Sequence, residues 1–436
     1  MRRVAVLGGV RIPFCRSHTA YAELSNLDLL TASLGGLADK FALHGAHIDE
    51  VIGGAVVTHA KDWNLAREAV IGSPLSPTTP GITMMQACGT SLQGALGLAA
   101  KIATGQIDSG IALGSDTTSD APIVFQRKFA QRLVKMSRAR SLGQKLAAFK
   151  GMAPGEMAPL PPSTSEPRTG LGMGEHCELM AKEWGISRQD QDLLAFESHK
   201  KAAAAYDEGF MDDLVIPCAG VFRDNNIRED ISLEKMAELK PVFDKVGGTI
   251  TAANSTPLTD GAATVLLASE EWAEKRGIPI QAYLTLGRTS AVDYVQGEGL
   301  LMAPTVAVSE LLDQCGLALQ DFDYYEIHEA FAAQVLATLK AWESEAYCRD
   351  RLGRSAPLGA IDRAKMNVKG SSIAFGHPFA ATGARILAVL AKLLHNGGGQ
   401  RGLISVCTAG GMGVAAILEG VKASTAAGPG DKAGAA

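Results

Sequence analysis

Two stretches far apart in this 436-residue chain follow one plan, and that duplication constrains the fold more than any other feature. In ITMMQACGTSLQGALGLAAKIATGQIDSGIALGS (82–115) an apolar strand enters a turn of small residues. In SSIAFGHPFAATGARILAVLAKLLHNGGGQRGLISVC (371–407) the same sequence of events is repeated. Each turn carries one reactive side chain, Cys88 or His377, and is followed by an apolar helix, a Gly-containing turn and another strand. A unit used twice explains this more economically than two unrelated α/β segments. Equivalent turns of two pseudo-symmetric halves meet at the interface between them, so a thiol and an imidazole are expected to face each other there.

The remainder of the chain keeps the rhythm. Val4–Leu7, Val51–Val57 and Ser109–Gly114 read as strands between Ala/Leu-rich helices. Ala282–Leu286, a helix near 305–316, Tyr324–Ile327, a helix from about 330 and Gly402–Val406 repeat the alternation. It predicts an α/β fold with a mostly parallel, covered sheet. Residues 1–120 with 251–275 form one half and 276–421 the other, 121–250 is an inserted loop domain, and 422–436 is a mobile small-residue tail. The insert opens with eight basic residues and no acid between Ala121 and Gly155, patterned as a helical hairpin over 127–150 with charge outside and Phe, Leu and Val inside. This patch is a solvated face, a membrane or partner surface, or a contact for a ligand phosphate.

A formal charge of −5 excludes the basic field that gathers nucleic acid. Seven cysteines, an odd number with no CxxC pair, read as free thiols in a reducing compartment. The start MRRVAVLGGVRIPF passes directly into a strand, with no room for a targeting peptide, and no apolar run reaches the ~18 residues of a membrane span. A soluble cytoplasmic protein is expected.

Three positions stand out chemically. Cys88, in QACGTS, opens a helix whose dipole and free N–H groups favour thiolate, although a buried cysteine also serves as a small hydrophobe. His377, held between Gly376 and Pro378, is positioned as its base. Cys407 ends a strand and enters AGGMG, a turn whose N–H groups can hold an oxyanion; neither GK[ST] nor GxGxxG accompanies it, which argues against a nucleotide phosphate. His328 in HEAFA lacks the second histidine of HExxH, so no metal is expected.

Taken in order, QACGTSLQG, MGEHCELMAKEWGISRQDQD, NSTPLTDGAA, HEAFAA, NVKGSSIAFGHPFAATGAR and CTAGGMG resemble the thiolase family over about residues 3–420. The resemblance implies a duplicated five-layered αβαβα fold and acyl exchange between coenzyme A thioesters, with coenzyme A a substrate and no bound cofactor. It implies Cys88 as nucleophile, His377 as its base and Cys407 as a second, acid/base cysteine. One oxyanion hole would use His377 with the residue at His328, and a second the N–H groups of Cys88 and Ala409. Met173, Ala252, Thr256, Ala330 and Phe331 would line the pantetheine channel.

His328 stands where the family's NEAF motif has Asn, as in thiolases of the fatty-acid oxidation trifunctional complex. That type implies a 3-ketoacyl-CoA thiolase, a homodimer or homotetramer, a hydratase/dehydrogenase partner subunit, and peripheral membrane contact through 121–155. An acetoacetyl-CoA-forming acetyltransferase, a carrier-protein ketosynthase and a non-catalytic lipid-binding or scaffold subunit are the rivals.

Overall fold

A computed structural model describes residues 1–421; the expected mobile tail, 422–436, lies outside the described residues. The first half contains β1 (Val4–Arg11), α1 (Asn26–Lys40), β2 (Glu50–Gly54), α2 (Leu65–Gly72), β3 (Gly81–Thr83), α3 (Thr90–Ala103) and β4 (Ser109–Asp116). The insert holds α4 (Arg127–Ser137), α5 (Leu142–Ala147), α6 (Met173–Glu183) and α7 (Arg188–Asp207). After it come β5 (Thr259–Ser269), β6 (Ala282–Ala291), α8 (Ala303–Cys315), β7 (Tyr324–Ile327) and α9 (Ala332–Glu343). The chain then runs through α10 (Thr382–Gly397), β8 (Arg401–Thr408) and β9 (Met412–Gly420).

The strands lie in the order β3-β2-β4-β5-β1 and then β6-β9-β8-β7. Pairing β1 with β6, β2 with β7, β4 with β8 and β5 with β9 superposes one order on the other, so the duplication read from two stretches extends through both halves. The two half-sheets touch along a short antiparallel seam, where Ala5 faces Tyr283 and Val6 faces Ala282. Helices α3 and α10 pack on each other and on strands of both half-sheets, while α1 with α2 and α8 with α9 cover the outer faces. This is the five-layered αβαβα arrangement. Three apolar cores fill the interlayer spaces, the central one containing Leu92, Leu98, Ile386, Leu387 and Val406.

Two expectations are corrected. The sheet is mixed rather than mostly parallel: β2 runs parallel to β3 and β4, and β7 to β8, but β5 lies antiparallel between β1 and β4, and β9 between β6 and β8. Alternation identifies strands joined through helices, whereas β5 arrives after the insert and β9 after a tight turn. The segment before His377 is a single helical turn, Ser372–Phe375, and the second half keeps only an isolated bridge, Tyr325 to Met366, where the first has β3.

Local chemistry sets the element boundaries. Ser25 accepts the N–H of Asp28, and the Asp28 carboxylate accepts the N–H of Ser25, capping α1. The helices α3 and α10 approach at Gly383, where an added Cβ would lie 2.4 Å from the backbone nitrogen of Leu92, so only glycine permits the contact.

The insert has two different parts. Helices α6 and α7 pack against α9 of the second half. From 121 to 160 no residue is buried. The basic hairpin forms as α4 and α5, but Val134, Leu142 and Leu146 are exposed instead of inside. Helix α4 packs on α5 and on the turn at 154–157, and these short elements leave those side chains uncovered. No helix among the described residues is long and apolar enough to cross a membrane.

Candidate active site

The two duplicated turns meet head to head. Ser91 in the first turn of α3 donates to the Ala380 carbonyl at 2.5 Å and accepts the Ala384 N–H at 2.8 Å, which locks the start of α3 to the start of α10. Asp116, fully buried at the end of β4, accepts N–H groups from Val56, Val57 and Ala380 and so ties the His377 turn to the first half. Burial raises this carboxyl to about 7 despite those donors.

Ala87, immediately before Cys88, has φ of +46°, a left-handed conformation that is strained for a residue with a Cβ. This bend delivers the Cys88 sulfur to 3.1 Å from Nε2 of His377. The other ring nitrogen of His377 lies 2.5 Å from Oγ1 of Thr382. With Nε2 accepting the thiol hydrogen, a neutral His377 carries its own hydrogen on Nδ1 and donates it to Thr382.

Burial pushes the Cys88 thiol up to about 12, and the N–H groups of Ala409 and of Cys88 itself only partly oppose it. Burial, helped by the Arg385 charge, brings His377 down to about 3. The expected lowering of the Cys88 thiol is therefore corrected: burial raises it. Desolvation outweighs the helix terminus, and burial moves both groups away from their charged forms.

His328 is fully buried just past the end of β7, with its ring centroid 4.2 Å from that of His377. One ligand atom from each of Cys88, His328 and His377 lies within 4.8 Å of the others. Burial lowers His328 well below its usual value, with His377 and Arg385 adding to the effect. Asn367 grips the residues on either side of His328: its amide oxygen accepts the Ile327 N–H, and its amide nitrogen donates to the Ile327 carbonyl and the Glu329 carboxylate.

Cys407 is buried on β8, where burial first, then Cys88 and Cys177, hold its thiol well above the usual range. Beyond it, Gly410 and Gly411 have φ of +77° and +71°, which glycine adopts without strain. The turn brings the Ala409 N–H near enough to the Cys88 sulfur to oppose part of its burial. From the insert, buried Glu166 accepts the Gly410 N–H at 2.9 Å and steadies this turn.

Four of the five predicted channel residues cluster. The Thr256 N–H donates to the Ala330 carbonyl, Ser255 bridges to Phe331, and Phe331 packs edge-on against Phe243, which sits over Gly174 beside Met173. Ala252 lies exposed on the same loop as Thr256. Sequence reasoning missed Thr382, Ser372, Arg385, Asn367, Asp116 and Glu166. Ser372, Arg385 and Asn367 lie inside a quoted motif and could have been tested as partners of His328; Glu166, alone in a Pro-rich loop, gave no signal.

A buried thiol beside an imidazole and a second thiol form an arrangement that can transfer groups through a cysteine nucleophile. Family comparisons specify the class further. The profile described as Thiolase, N-terminal domain, matches residues 4–271, and Thiolase, C-terminal domain, matches 280–420. The 3-ketoacyl-CoA thiolases of Yersinia pestis (strain Pestoides F) and Yersinia pseudotuberculosis (serotype O:3, strain YPIII) are each 42% identical to it over 423 residues, 96% of this chain and 97% of theirs. The crystal structure of the Bacillus anthracis acetyl-CoA acetyltransferase superposes with a TM-score of 0.79 at 29% identity, covering 97% of this chain and 99% of that one. The chain belongs to the thiolase family and is an acyltransferase.

Proposed function

We propose that this chain is a 3-ketoacyl-CoA thiolase acting in fatty-acid oxidation through an acyl-enzyme on Cys88. The carrying observation is the 3.1 Å contact between the Cys88 sulfur and Nε2 of His377, beside a second buried cysteine. His377 takes the thiol proton as Cys88 attacks the 3-keto carbon. The bond between C2 and C3 then breaks, leaving the acyl group on Cys88 and the enolate of acetyl-CoA, which takes a proton from Cys407. Free coenzyme A next gives its thiol proton to the Cys407 thiolate and attacks the Cys88 thioester. The shortened acyl-CoA leaves, and Cys88 recovers its proton from His377.

The N–H groups of Cys88 and Ala409 would stabilise the oxyanion formed at the acyl carbon. His377 and His328 would stabilise the thioester enolate. Coenzyme A would pass along Met173, Ala252, Thr256, Ala330 and Phe331 as a substrate, with no bound cofactor and no metal. A cytoplasmic homodimer or homotetramer, joined by a hydratase/dehydrogenase subunit, fits this reading. The exposed basic hairpin with its bare Val134, Leu142 and Leu146 supports peripheral membrane contact through 121–155.

The test is Cys88→Ser with 3-ketoacyl-CoA and coenzyme A, together with the intact mass of the wild-type chain after mixing with acyl-CoA. Turnover should vanish in the variant, and an acyl mass should appear on Cys88 in the wild type. Undiminished turnover would overturn the reading. An activity series over acyl lengths separates it from an enzyme restricted to acetoacetyl-CoA.

A further inference from the structure

His328 must present a hydrogen, not a lone pair, if it is to stabilise an enolate oxygen, and a neutral imidazole has only one to give. Its Nε2 has no hydrogen-bond partner among the described residues, although the side chain is fully buried. Its Nδ1 lies 2.7 Å from Oγ of Ser372. That same Oγ receives a hydrogen bond from Nη2 of Arg385 at 2.7 Å, and Arg385 is itself buried. A guanidinium can only donate.

The protons can therefore be counted. Ser372 Oγ spends one lone pair on Arg385, and among the described residues its hydroxyl hydrogen has no acceptor except Nδ1 of His328. With Nδ1 accepting, the ring hydrogen must reside on Nε2. The opposite tautomer would leave the Ser372 hydroxyl hydrogen without an acceptor, whereas Nε2 lacks a partner in either tautomer, so the Ser372 hydroxyl decides between them. His377 holds its hydrogen at the other position, on Nδ1 toward Thr382, with Nε2 free to take the Cys88 proton.

We propose that Ser372 and Arg385 are positioning residues that fix His328 as the Nε2–H tautomer, so that the two adjacent histidines serve as one donor and one acceptor. Ser372 sits on the single helical turn before His377, and Arg385 in the first turn of α10. Elements carrying the base thus also set the donor. Arg385 acts through Ser372 and through its charge. That charge is faced by the buried Glu326, one of whose oxygens lies 3.9 Å from Nη1 of Arg385 and which has no hydrogen-bond partner among the described residues. The roles given to the two histidines rest on the proposed acyl-transfer chemistry; the tautomer itself does not.

The experiment uses the full-length protein with 15N-labelled histidine. The chain has nine histidines, and His328→Gln identifies the signals of this one. In the wild type the Nδ1 resonance of His328 should be that of an unprotonated nitrogen and Nε2 that of a protonated one. The reverse pattern, or rapid averaging of the two, would overturn the proposal. In Ser372→Ala the preference should be lost or reversed, and in Ser372→Thr, which keeps the hydroxyl, it should be retained.

Exchange of the acetyl-CoA α-proton should fall in kcat by about 10² in Ser372→Ala, the typical effect of losing one oxyanion donor, with KM little changed and with rescue in Ser372→Thr. An exchange rate in Ser372→Ala equal to wild type, or a loss of the same size in Ser372→Thr, would also overturn it. Absence of an acyl mass on wild-type Cys88 would instead sink the acyl-enzyme reading and leave the tautomer measurement intact.

Discussion

In the resting enzyme the Cys88–His377 contact should be a neutral pair, and this can be tested by alkylation. Burial moves both groups away from charge, Cys88 from an ordinary 9.0 to about 12 and His377 from 6.5 to about 3. Thiolate is the reactive form, so at neutral pH the thiolate fraction of Cys88 should be about 1000-fold below that of an unperturbed cysteine. The pseudo-first-order alkylation rate with iodoacetamide, followed by the mass of the Cys88 peptide, should rise about tenfold per pH step without levelling between about pH 6 and 8. Acyl-CoA reacts anyway, because His377 can remove the proton during attack. In His377→Gln, which can still hydrogen-bond but cannot act as a base, acylation should fall by about 10² to 10⁴. The slow, pH-dependent alkylation should persist. A rate plateau beginning near pH 6 would mean a standing ion pair and would refute the reasoning, as would less than a tenfold loss of acylation in His377→Gln.

Other consequences of the geometry are open to measurement. Cys407→Ser should abolish α-proton exchange in acetyl-CoA while Cys88 acylation partly survives; equal loss of both would contradict separate duties. Gly383→Ala places a Cβ 2.4 Å from the Leu92 nitrogen, so denaturant unfolding should show a loss of about 1–3 kcal/mol, with acylation slowed because Cys88 and His377 lie across that contact. Asp224→Ala strands the buried Arg11, which the carboxylate now grips through both Nη atoms at 2.5 and 2.7 Å. A loss of about 3–5 kcal/mol follows, which for a chain of this length lowers Tm by about 3–5 °C. His199, outside the catalytic cluster, accepts the Arg228 N–H and is lowered to about 4 by burial, with Arg228 and Lys200 contributing. Because its folded value is depressed, the stability it confers is full above about 6.5 and is lost as pH falls. Between pH 7.5 and 5.5 the wild type should lose about 1.4 kcal/mol that His199→Gln keeps, in paired urea titrations.

Much of the architecture was legible because it repeats. Cys88 and His377 could be placed together from equivalence alone, and Ser91 with Gly383 shows how the two turns are joined. Strand direction was not legible, because nothing in the apolar run 259–269 states which neighbours it will lie between. The direction of the Cys88 shift was not legible for a related reason: its helix start is visible in the sequence, whereas its burial depends on a core shared with Val406 and Val414 of the second half. The same holds for His328, whose motif shows the substitution but not the Ser372 and Arg385 that orient it.

The placement of β5 has a consequence for biogenesis. It lies between β1 and β4 and completes the first half-sheet, yet β4 ends at Asp116 and β5 begins only at Thr259. As the nascent polypeptide leaves the ribosome, β1 and β4 must wait with bare edges while the intervening segment emerges, a hazard for aggregation. Cys88 waits longer still, since His377 and Cys407 are translated last. A ribosome-stalled chain ending before β5 should bind chaperones strongly, and its thiol at position 88 should remain open to reagents that the finished enzyme excludes.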